Sequence, residues 1–219
     1  MASIKQLMSG VLRYFPNVML MALLVGGILL AKLPWIFTAA GGLVVAVVIL
    51  IIQFLLGKVT GDTLTVPGIN VMEMCSILPT ARADKYMLLP SMWVAMTAFF
   101  CTYIVFNAAS IYTTNPTAKP NDATPVQQRK GLGLISMLAA ILLLVVLLVG
   151  RYVTGCELTN GTIFGILSFV VSAGLGVAIA YGWWSMLSAS GTSNADVHGV
   201  MSGLTPGGLR AGALACKMS

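Results

Sequence analysis

The sequence predicts an all-α integral membrane protein with about five transmembrane helices, and three observations carry that reading. The 219 residues are 58% hydrophobic and only 8% charged, whereas soluble domains carry about 25% charged residues. Mean hydropathy is +0.95, an apolar excess too large to be hidden from water in a chain of this length. The apolar residues also gather in uncharged runs near the roughly 20 residues that a helix needs to cross about 30 Å of hydrocarbon, where only backbone hydrogen-bonded within its own segment is tolerated.

The first run, residues 17–31, follows a flank at residues 1–16 and is short. It completes a crossing by recruiting residues 12–16 and by letting Lys32 snorkel. Lys5 and Arg13 ahead of it give it the look of a signal peptide, but a second apolar run follows almost at once, so the segment reads as a retained span. That second run, residues 36–56, has Gln53 as its only strongly polar side chain. The intervening Lys32-Leu33-Pro34-Trp35 is a charged, proline-containing, aromatic break, and the first two spans are expected to form a tight hairpin.

Residues 88–112, 131–150 and 162–187 supply three more spans without Asp, Glu, Lys, Arg or His, closing a membrane domain over 17–187 with its termini on opposite sides. Tyr14, Trp35, Tyr86, Tyr112, Tyr152, Trp183 and Trp184 fall at or near the span ends, where amphipathic rings are favoured. Basic residues divide evenly. Lys5, Arg13, Lys58, Arg82, Lys85 and Arg151 lie on one side; Lys32, Lys119, Arg129, Lys130, Arg210 and Lys217 lie on the other, so charge bias leaves the orientation open.

Two connections and a tail remain. The loop at 57–87 mixes β-branched residues with Pro67-Gly68 and Pro79, a pattern for a short strand or hairpin on the membrane surface. The loop at 113–130 is punctuated by Asn115-Pro116, Lys119-Pro120 and Pro125 and reads as extended. The tail at 188–219 is rich in Gly and Ser. Alone in water it should be disordered, and partner proteins are better able to order it than its own small side chains.

Candidate sites are sparse. The net charge of +6 comes from basic residues scattered singly through loops and ends, which speaks against nucleic acid as a partner and for the lipid bilayer. The spans hold no ionisable residue of the kind that marks an ion path. Gln53, Asn107, Thr97, Thr102 and Ser110 are expected to make helix-to-helix hydrogen bonds. His198 beside Asp196 has the residue types of a general base, but a single histidine in a polar tail reads first as solvated or as a partner contact. No catalytic residue, metal ligand or cofactor is assigned.

Gly161 and Gly165 form a GxxxG, and Gly174, Ala178 and Gly182 continue small residues at four-residue spacing. They suit close helix packing, expected first within the chain and second against another subunit. Cys75 and Cys156 lie in loops on the same side, so a disulfide is permitted if that side is oxidising; free thiols are the alternative. The sequon Asn160-Gly161-Thr162 adjoins a span too closely for use.

The run Met74-Cys75-Ser76-Ile77-Leu78-Pro79, continuing through Arg82, Asp84, Lys85 and Tyr86 into Leu88-Leu89-Pro90 and an aromatic span, resembles multi-span membrane proteins of large icosahedral DNA viruses that hold a membrane beneath the capsid. Asn115-Pro116 and Arg129-Lys130 are similar too, and the likeness covers about the central third of the chain. The resemblance implies a transmembrane minor capsid protein, tying an inner membrane to the protein shell through loops and tail. The residues themselves point to a non-enzymatic anchor or assembly subunit that contacts other proteins of a large assembly. The alternative is a small channel or transporter subunit in which Gln53 and Asn107 line a polar path.

Overall fold

The structure is a computed structural model that describes residues 2–60, 65–67, 85–87, 90–114, 123–153 and 163–199. It contains five long helices, α1 (Ala2–Leu29), α2 (Leu33–Thr60), α3 (Met92–Thr113), α4 (Ala123–Val153) and α5 (Ile163–Ala189), and a single turn of helix, α6 (Thr192–Ala195). Two three-residue strands, β1 (Thr65–Pro67) and β2 (Lys85–Met87), pair antiparallel with Val66 opposite Tyr86. All five long helices are long and apolar enough to cross a membrane.

Helix boundaries differ from those read off the apolar runs, and the causes are local. The first span, expected at 17–31, belongs to one continuous helix that runs from Ala2 and ends two residues early, at Leu29, its apolar part being Leu12–Leu29. Pro16 sits inside it. A proline has no N–H to offer the carbonyl four residues back, and here the freed carbonyl, that of Leu12, accepts the Trp93 indole N–H at 2.7 Å. The helix therefore continues past the proline with its backbone satisfied by a neighbouring helix.

The turn into α2 is a Schellman cap. Lys32 N–H donates to the Gly27 carbonyl at 2.8 Å and Ala31 N–H to that of Ile28 at 3.3 Å, while Ala31 takes a left-handed φ of 49°. This is the site where glycine is usually found, because a Cβ is strained there. Helix α2 then outruns its apolar core of 36–56 at both ends, since Pro34 is tolerated in a first turn whose N–H groups need no partner within the helix.

Helix α3, expected from residue 88, starts at Met92 because Ser91 is its N-cap, the Ser91 hydroxyl accepting from Val94 N–H. Helix α4 begins eight residues ahead of the expected 131. Pro125 reads as a loop residue, but it falls in the first turn, where a proline costs no hydrogen bond.

Helix α3 is the axis of the fold: 67% of its span is buried, against 11–28% of the others. Every side chain from Trp93 to Cys101 is buried, so the helix is enclosed all round. Close approach needs small residues opposite large ones. On α2, a Cβ at Gly41 would lie 2.5 Å from the Phe99 ring, and one at Gly42 would lie 2.6 Å from that of Phe100. On α5, a Cβ at Gly176 would run into the Ala95 carbonyl, and on α4 one at Gly133 would come within 2.9 Å of the Ala108 carbonyl. These glycines are the holes into which α3 fits.

The outer surface is the inverse. Val18, Val47, Phe54, Ile135, Leu142 and Val170 are exposed, with many other apolar side chains around all but α3. A contiguous apolar surface of that extent is foreign to a monomer in water.

Candidate functional site

Polar side chains gather at the two ends of the bundle. One end, near Leu12, Pro90 and Arg151, is a closed structural knot. Gln53 donates to the Pro90 carbonyl at 2.8 Å, a carbonyl just ahead of the start of α3. Ser172 accepts from Ser91 N–H at 2.6 Å while its hydroxyl donates to the Ser168 carbonyl. Arg151 is 1% exposed, with its guanidinium 4.8 Å from the centre of the Trp93 ring. Counted in the sequence as a loop charge, Arg151 instead lies in the last turn of α4, where a cation also favours the helix C-terminus.

The other end, beneath the hairpin turn, carries the candidate site. Tyr103 and Asn107 are one turn apart on α3 and so share a face; both are buried. Trp35 and Thr38 reach the same region from the first turns of α2, where Thr38 also donates to the Pro34 carbonyl at 2.7 Å. After α5 the chain reverses at Gly191, whose φ of 137° only glycine adopts freely, and runs back across the end of the bundle through α6 to Gly199 at φ 68°.

This returning segment is pinned at successive residues. The Ala195 carbonyl accepts from the Tyr103 hydroxyl at 3.3 Å, the Val197 carbonyl from the Trp35 indole at 2.8 Å, and His198 Nδ1 lies 2.6 Å from Asn107 Oδ1. Because Oδ1 only accepts, Nδ1 carries the proton in this arrangement. Asp196, only 2% exposed, faces inward between these contacts, near enough to Tyr103 and His198 for its charge to act on both. Burial lowers the pKa of His198, with the Asp196 carboxylate opposing that effect. Lys32 stacks over Trp35 and approaches Gly199.

The structure thus adds to the reading of the tail: its first part, through Gly199, makes contacts with the chain's own bundle. The partners of His198 were out of reach of sequence reasoning, because Asn107 is 91 positions away. Of the polar residues that the sequence places inside spans, Gln53 and Asn107 each meet a group on another segment. Thr97, by contrast, buries its hydroxyl with no hydrogen-bond partner.

The small-residue stripe also divides. Gly174, Ala178 and Gly182 lie on the exposed face of α5, and a Cβ at either glycine would meet nothing within 4 Å. The face against α3 is a different stripe, Ser168, Ser172, Gly176 and Ala180, all buried. Gly165 lies in the first turn of α5, where only the backbone is described, while Gly161, Cys75 and Cys156 lie outside the described residues. Among the described residues no group of three or more His, Cys, Asp or Glu is placed to hold a metal ion. No family model, curated protein or solved structure matches the chain.

Proposed function

We propose that the chain is a multi-pass membrane protein with a structural role: a helical anchor that holds its polar loops and C-terminal residues at the membrane face for other proteins of a large assembly. The observation that carries this reading is how the polar groups among the spans are used. Gln53, Asn107, Trp93 and Trp183 each bond to a neighbouring segment, and Trp183 donates to the Phe37 carbonyl at 2.9 Å. Polar groups spent on holding helices together make a rigid body, whereas a conduction path needs them free for solute. The exposed apolar surface of α1, α2, α4 and α5 is the surface that lipid would cover.

The resemblance to transmembrane minor capsid proteins suggests where such an anchor would work, in a membrane beneath an icosahedral shell. The docked segment supports a division of labour in the tail: residues through Gly199 belong to the bundle, and residues 200–219 are the part offered to partners. Truncation after Gly199 tests this by co-purification. The truncated chain is expected to insert and fold as before but to drop out of the parent assembly, and undiminished incorporation would remove the tail from the proposal. A small channel subunit, the alternative, would require solute flux that disappears when Gln53 and Asn107 are replaced.

A further inference from the structure

The segment after α5 has the construction of a strap. It is tied down by three side chains from two different helices, Trp35 of α2 and Tyr103 and Asn107 of α3, yet two of the three ties end on its own backbone carbonyls. The third is made by a strap side chain, that of His198, which is the only histidine in the chain. Glycines with left-handed φ stand at both of its ends, Gly191 and Gly199. Glycine resists such conformations least and leaves the chain free to move about them.

From this geometry we infer that residues 191–199 form a pH-sensitive strap, closed over this end of the bundle while His198 is neutral and released when His198 takes up a proton. The physical reason is that a charge at His198 must be carried among buried groups. Among the described residues the titratable and charged groups near it are Asp196 on the strap, Tyr103 on α3 and Lys32 in the α1–α2 turn; the first turns of α2 carry no charged side chain, and α5 offers Tyr181, which meets Phe106 edge to face. Asp196 favours the imidazolium, but burial outweighs it, so the docked histidine holds a proton less readily than the released one.

The sign follows. Docking is fully stabilised above the ordinary histidine range and loses that stability as pH falls through and below it. Release uncovers Asn107, the Tyr103 hydroxyl and the Trp35 indole, and it frees the chain beyond Gly199 from its anchor point. The inference stands on the contacts at this end of the bundle and does not depend on the assembly proposed above.

Hydrogen–deuterium exchange of the full chain in detergent micelles tests it, with the protection of residues 191–199 corrected for chemical exchange and followed from about pH 7.5 to about pH 5. We expect a several-fold, reversible loss of protection in the strap while peptides from α3 stay unchanged. His198→Gln keeps a donor for Asn107 and carries no titrating group, so its strap should stay protected at both ends of the range. Wild-type protection that ignores pH, or a His198→Gln strap that loses as much protection as wild type, would overturn the inference. If His198→Gln is unprotected throughout, the wild-type titration decides by itself: a midpoint at or below the ordinary histidine range supports the strap, and a flat profile sinks it.

Discussion

Helix α5 carries two stripes of small residues, and they do opposite things. Ser168, Ser172, Gly176 and Ala180 press against α3, so closely that a side chain at Gly176 would run into the Ala95 carbonyl. Gly174, Ala178 and Gly182 repeat the same four-residue spacing half a turn away and look outward into open space. Spacing alone therefore does not say which face a helix packs. What separates the stripes is what stands opposite: the inner one meets α3 at a point where its own residues are small as well, Ala95 and Ala98, so two backbones come together and gain contact along their length.

Substitution at the two stripes should show the difference most strongly. Gly176→Leu forces α5 away from α3 and is expected to cost more than about 3 kcal/mol, read as loss of the folded monomer in thermal unfolding in detergent. Trp93→Leu comes next. It leaves the Leu12 carbonyl behind Pro16 without its donor and removes the ring under Arg151, for a cost of about 2–4 kcal/mol by the same measurement. Gln53→Leu, which gives up one hydrogen bond to the Pro90 carbonyl, should cost about 1 kcal/mol.

Ala31→Gly should raise stability by about 1 kcal/mol, because the left-handed φ of 49° strains alanine and not glycine. Smallest of all, Gly174→Ala and Gly182→Ala should change the isolated chain by less than about 1 kcal/mol, and upward if at all, since alanine is the better helix former and nothing lies in its way. A clear loss at the outer stripe with no loss at Gly176 would invert the account of α5.

The helices were legible in the sequence for one reason: uncharged length is a strong signal when only a spanning helix satisfies the backbone. Their ends were less so. The apolar run says where a helix is greasy, not where its hydrogen bonds stop, which is why α4 starts at Ala123 and α1 passes through Pro16. The inner face of α5 was not legible either. Its residues are apolar or small on every side, so no polar face points away from the core.

At the candidate site, Asn107 and Gln53 could be singled out as polar groups in apolar runs, but not their partners. Val197 and Ala195 take part through backbone carbonyls, which no residue type advertises, and His198 meets Asn107 only because Gly191 turns the chain back. Arg151 was misplaced for a related reason. A charge at the end of an apolar run reads as a boundary, and only the position of Trp93 on another helix reveals that it is buried.

The central claim is that lipid covers the outward apolar surface of α1, α2, α4 and α5, and extraction of membranes from expressing cells with alkaline carbonate tests it most directly. The intact polypeptide should stay with the sedimented membranes and enter solution only with detergent. Its release by carbonate alone would contradict the account.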